Sequence, residues 1–280
     1  MNGEQHFFKM RDGVELHVDI RERGHKEWLI VTHGIGEHLK RHSYISELFL
    51  GQYNIVFYDL RGHGLSTGQD AYVSDFHEFI LDLEALIGIV KTRFRMESYT
   101  LFGHSMGALI SARFLQVKAD RNFYPKKIFL NAPPVGFHGV AGQFASWAPY
   151  KLLEGLTKIP GSKKLGGLVD LSYLSHNPMI KKEYVEDELN HLKLHTKLVF
   201  ELAKCSHQTF SRPIHPHCPA FVTVGSKDRV VSYSQLVSYF QVIEKNFSLQ
   251  VIDGAYHEIH NEIDKYRNPY LEHMKACLTP

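Results

Sequence analysis

The pentapeptide Gly103-His104-Ser105-Met106-Gly107 constrains this chain more than any other stretch, because it sets a serine between two glycines where one periodicity gives way to another. Tyr99-Thr100-Leu101-Phe102 before it is a short apolar run that reads as a buried strand, and Ala108 to Leu115 after it reads as a helix. A strand that turns into a helix across a single residue puts that residue in a strained backbone conformation. Glycines two before and two after let helix and strand approach without a Cβ between them. The pattern predicts a nucleophile elbow with the Ser105 hydroxyl held clear of its own strand, and it acquires chemical meaning only if partners lie elsewhere in the chain.

The flanking sequence supplies a scaffold. Val14 to Ile20 alternates apolar and polar side chains after an Asp12-Gly13 turn, which predicts an antiparallel, half-exposed strand. Trp28 to Thr32, Asn54 to Tyr58, Ile128 to Leu130 and Ala220 to Val224 are nearly continuous apolar runs, as parallel strands covered on both faces require. Phe76, Phe79, Ile80, Leu83, Ile87 and Val90 recur at helical spacing and predict an amphipathic crossover helix. The order is β-α-β, so the fold class is α/β with a mostly parallel, doubly wound sheet. From about Gly136 to His215 the rhythm breaks, and it resumes at Pro219. The expected organisation is a core built from 1–135 and 216–280, interrupted by a helical cap over 136–215.

A serine is a poor nucleophile until a base takes its proton, and an imidazole serving as base needs an acceptor on its other nitrogen. Downstream of Ser105, the strand ending at Val224 runs into Gly225-Ser226-Lys227-Asp228. The strand Leu249 to Ile252 runs into Asp253-Gly254-Ala255-Tyr256-His257. Both loops follow late strands, where open α/β sheets place their chemistry. His257 is therefore the candidate base and Asp228 the candidate acid. Asp253 competes, but it is close to His257 on the same loop and poorly placed to reach its ring; Asp59 and Asp70 are weaker. The developing oxyanion needs donors. Met106 N–H, after the serine, is one candidate, and Ile35 N–H, in the glycine-bearing loop Thr32 to His38, is the other.

Bulk properties narrow the remaining function classes. Lys+Arg of 32 against Asp+Glu of 30 leaves a net charge of +2 and no electrostatic case for nucleic acid. The three cysteines, Cys205, Cys218 and Cys277, read as reduced thiols of a cytoplasmic chain, and neither a signal-like stretch nor a membrane-length apolar run occurs. His257-Glu258-Ile259-His260 spaces its histidines three apart rather than the four a zinc-protease helix needs, and the crowding of Cys205, His207, His215, His217 and Cys218 fits no standard ligand spacing. No metal and no cofactor is expected.

HGIGEH at 33–38, DLRGHGLS at 59–66, GHSMG at 103–107, GSKD at 225–228 and GAYHEIHNE at 254–262 together resemble the monoacylglycerol lipase and lysophospholipase branch of the α/β-hydrolase superfamily, across nearly the whole chain. The resemblance implies a serine carboxylic-ester hydrolase with Ile35 and Met106 forming the oxyanion hole. It implies a bracing role for Asp59, Arg61 and His63 beneath the active site. It also implies a substrate with a single long acyl chain, a monoacylglycerol or a lysophospholipid. Ala108 stands where that family commonly has another glycine, and the cap around Leu174 to Pro178 is similar only loosely.

The segment 137–156 is rich in apolar side chains, among them Phe137, Phe144 and Trp147, with Lys151, Lys158, Lys163 and Lys164 around it. These residues either seal the cap onto the core or line an acyl tunnel whose lip touches a membrane or micelle surface. An aminopeptidase shares this fold and triad and would need cap carboxylates for a free amine, which Glu183, Glu186, Asp187 and Glu188 could supply. A general short-chain carboxylesterase is the other alternative.

Overall fold

The computed structural model describes residues 3–138, 150–158 and 161–280. Its centre is an eight-stranded sheet in the order β1-β2-β4-β3-β5-β6-β9-β10, made of β1 (Glu4–Lys9), β2 (Glu15–Arg21), β3 (Glu27–Thr32), β4 (Asn54–Tyr58), β5 (Ser98–His104), β6 (Ile128–Asn131), β9 (Ala220–Gly225) and β10 (Phe247–Ile252). The first two strands pair antiparallel, β2 also meets β4 antiparallel, and every other pairing is parallel. This is the α/β-hydrolase arrangement that the motifs imply.

The apolar runs form central strands because both of their faces are covered. Ile30, Val56 and Leu101 join a core cluster beneath α2 (His77–Arg93) and α3 (Met106–Val117). Their neighbours Leu29, Ile55 and Phe102 point the opposite way, into a second cluster with α1 (Tyr44–Phe49) and a C-terminal helix over Asp264–Leu278. The expectation of a half-exposed β2 is corrected. Residues Leu16 to Ile20 are all buried: Leu16, Val18 and Ile20 on one face join the main core cluster, and on the other His17 lies against Phe7 of β1, a strand absent from the sequence reading, and Asp19 is bound by Arg21, which also reaches Ser46 of α1. The polar members of the alternation find partners inside: His17 meets Asp59 and Asp19 meets Arg21.

Between β6 and β9 lie α4 (Tyr150–Thr157), a two-stranded ribbon of β7 (Lys164–Gly166) and β8 (Lys193–His195), α5 (Pro178–Glu186) and α6 (Thr196–Phe210). Leu198, Leu202, Cys205 and Phe210 of α6 belong to the main core cluster. That helix therefore closes the same core that α3 closes. The carboxyl ends of β3, β5, β9 and β10 all open toward this segment, and the chemistry gathers there.

Candidate active site

Ser105 stands between β5 and α3 with φ 51° and ψ −116°, a conformation that costs an ordinary side chain energy and persists only where its surroundings enforce it. Its N–H donates to Asn131 O of β6 at 2.8 Å. A Cβ on Gly107 would lie 2.2 Å from Thr32 O, and one on Gly103 would lie 2.5 Å from Gly107 O. Neither position admits a side chain, so the glycine spacing is a packing requirement of the elbow.

His257 Nε2 lies 3.1 Å from Ser105 Oγ, and its Nδ1 lies 2.7 Å from Asp228 Oδ2. The carboxylate beside Nδ1 holds the ring proton there and leaves Nε2 to accept from the serine. Val230 N–H and Val231 N–H donate to Asp228 Oδ1 at 2.8 and 2.9 Å, which fixes the acid in turn. All three side chains are buried. Burial alone would lower the His257 pKa, but the charge of Asp228 and its hydrogen bond, with Glu258 and Glu37 beyond, raise it above the ordinary histidine value.

The competing aspartates are engaged elsewhere. Asp253 is exposed and accepts from Ser226 Oγ at 2.8 Å. Asp70 faces Lys164 at 3.5 Å. Asp59 accepts from His17 Nδ1, Leu39 N–H and Leu65 N–H. Arg61 grips Asp82 with two nitrogens at 2.6 and 2.7 Å, and His63 Nδ1–H donates to Arg61 O. Ile35 and Met106 both border the cavity beside Ser105, and among the described residues neither backbone N–H has an acceptor.

Two lobes meet at Ser105 and share Ile35, Leu168, Val169, Leu194 and Val230. One, of about 180 Å³, is lined by Met106, Pro134, Phe137, Val199, Leu202 and Ala203. The other, of about 220 Å³, is bordered by His257 and runs to Glu37, His104, Tyr184, His191 and Glu258. Phe137 thus reaches the site, while Phe144 and Trp147 lie outside the described residues. Sequence reasoning misses Leu168, Val169 and Leu194, which carry no motif. It also misses a buried polar group behind the second lobe. Glu37 accepts from Gly34 N–H at 2.5 Å, from His42 Nε2 at 2.9 Å and from Arg41 Nε at 3.1 Å; Arg41 Nη2 donates to Glu258 at 2.5 Å. The spacing of four between Glu37 and Arg41 is the signal that could have found it.

A sequence profile described as serine aminopeptidase, S33, matches residues 23–264. The chain belongs to this family. Within it the chain is 28% identical to a monoacylglycerol lipase of Mycolicibacterium smegmatis, over 92% of this chain and 91% of that one. It is 27% identical to the mouse monoglyceride lipase over 91% and 82%, and 26% identical to phospholipase YtpA of Bacillus subtilis over 85% and 90%. The fold superposes on the Paleococcus ferrophilus monoacylglycerol lipase with a TM-score of 0.78 at 23% identity, covering 94% and 97% of the two chains. A soluble variant of the Saccharomyces cerevisiae monoglyceride lipase gives 0.81 at 16% identity, covering 99% and 94%. These likenesses place this member of the S33 family in the monoacylglycerol lipase and lysophospholipase branch of the α/β-hydrolases, among the carboxylic ester hydrolases.

Proposed function

We propose that this chain hydrolyses lipid esters bearing one long acyl chain, a monoacylglycerol or a lysophospholipid, through an acyl-enzyme on Ser105. The observation that carries the reading is the Ser105–His257–Asp228 hydrogen-bonded chain at the junction of two lobes of different character. His257 takes the Ser105 proton as Oγ attacks the ester carbonyl, and the negative charge gathers on the former carbonyl oxygen, where Ile35 and Met106 N–H donate to it. Collapse breaks the ester C–O bond. His257, now protonated, gives its proton to the departing alkoxide. Water, activated by the same ring, then frees the fatty acid and restores the serine.

The donor of the leaving-group proton decides which lobe holds which half of the substrate. His257 borders the polar lobe, so the alcohol belongs there, and the acyl chain takes the apolar lobe by way of Met106 and Phe137. Each buried methylene contributes about 0.8 kcal/mol. The segment 136–215 acts as the cap. Leu152, Leu165, Leu168, Met179, Val185 and Leu192 stand exposed on it among exposed Lys151, Lys158, Lys163 and Lys164, which suits contact with a membrane or micelle surface. Among the described residues, no helix is long and apolar enough to cross a membrane.

Aminopeptidase activity, for which the family is named, needs a carboxylate for the free amine on the acyl side. Glu183, Glu186 and Glu188 are exposed, none of them lines either lobe, and Asp187 is bound to His38 at 2.8 Å. Asp170, exposed, is the acyl lobe's one described carboxylate. The deciding experiment pairs fluorophosphonate labelling of wild type and Ser105→Ala with rates on acyl esters of rising chain length and on amino-acid amides. Labelling lost in Ser105→Ala and kcat/KM that climbs with chain length are expected. Labelling that persists in the variant, or amides cleaved faster than long-chain esters, would overturn the reading.

A further inference from the structure

The polar lobe is acidic in a way that motif reading does not reveal. Its lining carries two buried carboxylates, Glu37 and Glu258, and no lysine or arginine among the described residues. Behind them a single guanidinium, Arg41, pairs with both, at 3.1 Å to Glu37 and 2.5 Å to Glu258, while its plane rests over the Tyr184 ring at 4.7 Å. Among the described residues Arg41 is the one guanidinium that meets both carboxylates, and His42 Nε2 donates a further hydrogen bond to Glu37 at 2.9 Å. Of the imidazoles that border the lobe, burial drives His104 well below the ordinary histidine value and also lowers His191, while for His257 burial is outweighed by the charges of Asp228, Glu258 and Glu37, which raise it.

The hydrogen bonds are as one-sided as the charge. Both oxygens of Glu37 are occupied, by Gly34 N–H and His42 on one and Arg41 on the other. Glu258 commits Oε2 to Arg41 and to Asn261 Nδ2 at 2.7 Å, but its Oε1 has no partner among the described residues. An ionised carboxylate only accepts. What it can bind is a donor such as the O–H of a polyol. A phosphodiester offers no proton to donate, and its negative charge meets another of the same sign where little water screens them.

Resting on the lipid-ester reading above, we infer that Glu258 selects the leaving group: the polar lobe takes an uncharged polyol head group and rejects one that carries phosphate. Of the two substrate classes proposed, the monoacylglycerol is then the one this chain turns over. Glu258 is a specificity-determining residue, distinct from the Ser105–His257–Asp228 chain, and its effect is on the ratio between substrates.

That ratio is the measurement. A 1-acylglycerol and a lysophosphatidylglycerol with the same acyl chain compete for the enzyme in neutral detergent micelles, so that any change in His257 acts on both alike. Wild type should prefer the neutral ester by about a hundredfold in kcat/KM. Glu258→Gln, which removes that carboxylate's charge from the lobe, should cut that preference by about tenfold, while Glu258→Asp, which keeps the charge, should hold it near the wild-type value. Fluorophosphonate labelling of each variant establishes that the site is assembled. Equal cleavage of both esters by wild type, or an unchanged preference in a labelled Glu258→Gln, overturns the selection and leaves lipid-ester hydrolysis standing. Cleavage of neither ester by labelled wild type overturns both.

Discussion

Ser105, Asp228 and His257 each stand within five residues of the end of a sheet strand, and each is fixed by atoms of the core: Asn131 O, the Val230 and Val231 N–H groups, and Asp228 itself. The loop carrying Ile35 is held differently. Gly36 O, one residue on, accepts from Tyr184 Oη at 2.9 Å and from His191 N–H at 2.7 Å, both from the segment between β6 and β9, and His38 reaches Asp187 of the same segment at 2.8 Å. One half of the site is thus set by the sheet, and the other is gripped from across the cavity. Damage to the first half should therefore abolish chemistry, whereas damage to the second should only loosen it.

The largest effect belongs to Asp228→Asn. Removing the charge while keeping the shape leaves His257 without the acceptor that fixes its tautomer, and kcat should fall by about three to four orders of magnitude, the scale seen when this role is lost in serine proteases. Asp253→Asn, which removes only an exposed bond to Ser226, should stay within about twofold of wild type. Steady-state kinetics on both variants, with folding checked by circular dichroism, separates them. A larger loss in Asp253→Asn would mean that the strand-end geometry does not set the acid.

What the sequence alone reveals follows the same division. The glycine spacing around Ser105, the continuous apolar runs and the loops after β9 and β10 are local in sequence, and local patterns record local packing. They located the elbow, the strands and the serine, acid and base candidates that the structure brings within hydrogen-bonding distance. β1 was not legible, because Gln5-His6-Phe7-Phe8 has no clean alternation and becomes a strand only by pairing with β2. The Glu37–Arg41–Glu258 group joins residues more than two hundred positions apart, and Tyr184 meets Gly36 across a separation of 148. Only the Glu37–Arg41 spacing of four is local enough to show in the sequence; the contacts with Glu258 and Tyr184 are not.

A smaller effect, tenfold per pH unit, comes from the raised pKa of His257. The base works only when neutral, so kcat/KM should fall as pH drops through that pKa, with its midpoint above the ordinary histidine value of 6.5. The sign can be tested against Asp228→Asn. There the first influence on the ring, burial, remains and the strongest opposing one is gone, so the residual activity should lose its acid limb at a lower pH than wild type. A wild-type midpoint below 6.5, or a limb that moves upward in the variant, would show that burial rather than the Asp228 charge governs the ring.

The smallest effect tests the grip itself. Tyr184→Phe keeps the ring beneath Arg41 and removes only the hydroxyl that donates to Gly36 O, leaving His191 N–H in place. Deleting an oxyanion donor outright costs about a hundred- to a thousandfold in kcat. Losing one of the two bonds to Gly36 O should cost far less, about five- to tenfold. Because the loss falls where charge develops rather than where the substrate rests, it should appear in kcat with KM nearly unchanged. A trifluoromethyl ketone, whose adduct with Ser105 carries the same oxyanion, should weaken by the same factor. If KM rises and kcat holds, Tyr184 acts as a wall of the polar lobe. If the ketone and kcat move together, the segment between β6 and β9 sets the direction of the Ile35 N–H, and half of the oxyanion hole depends on how that segment is seated.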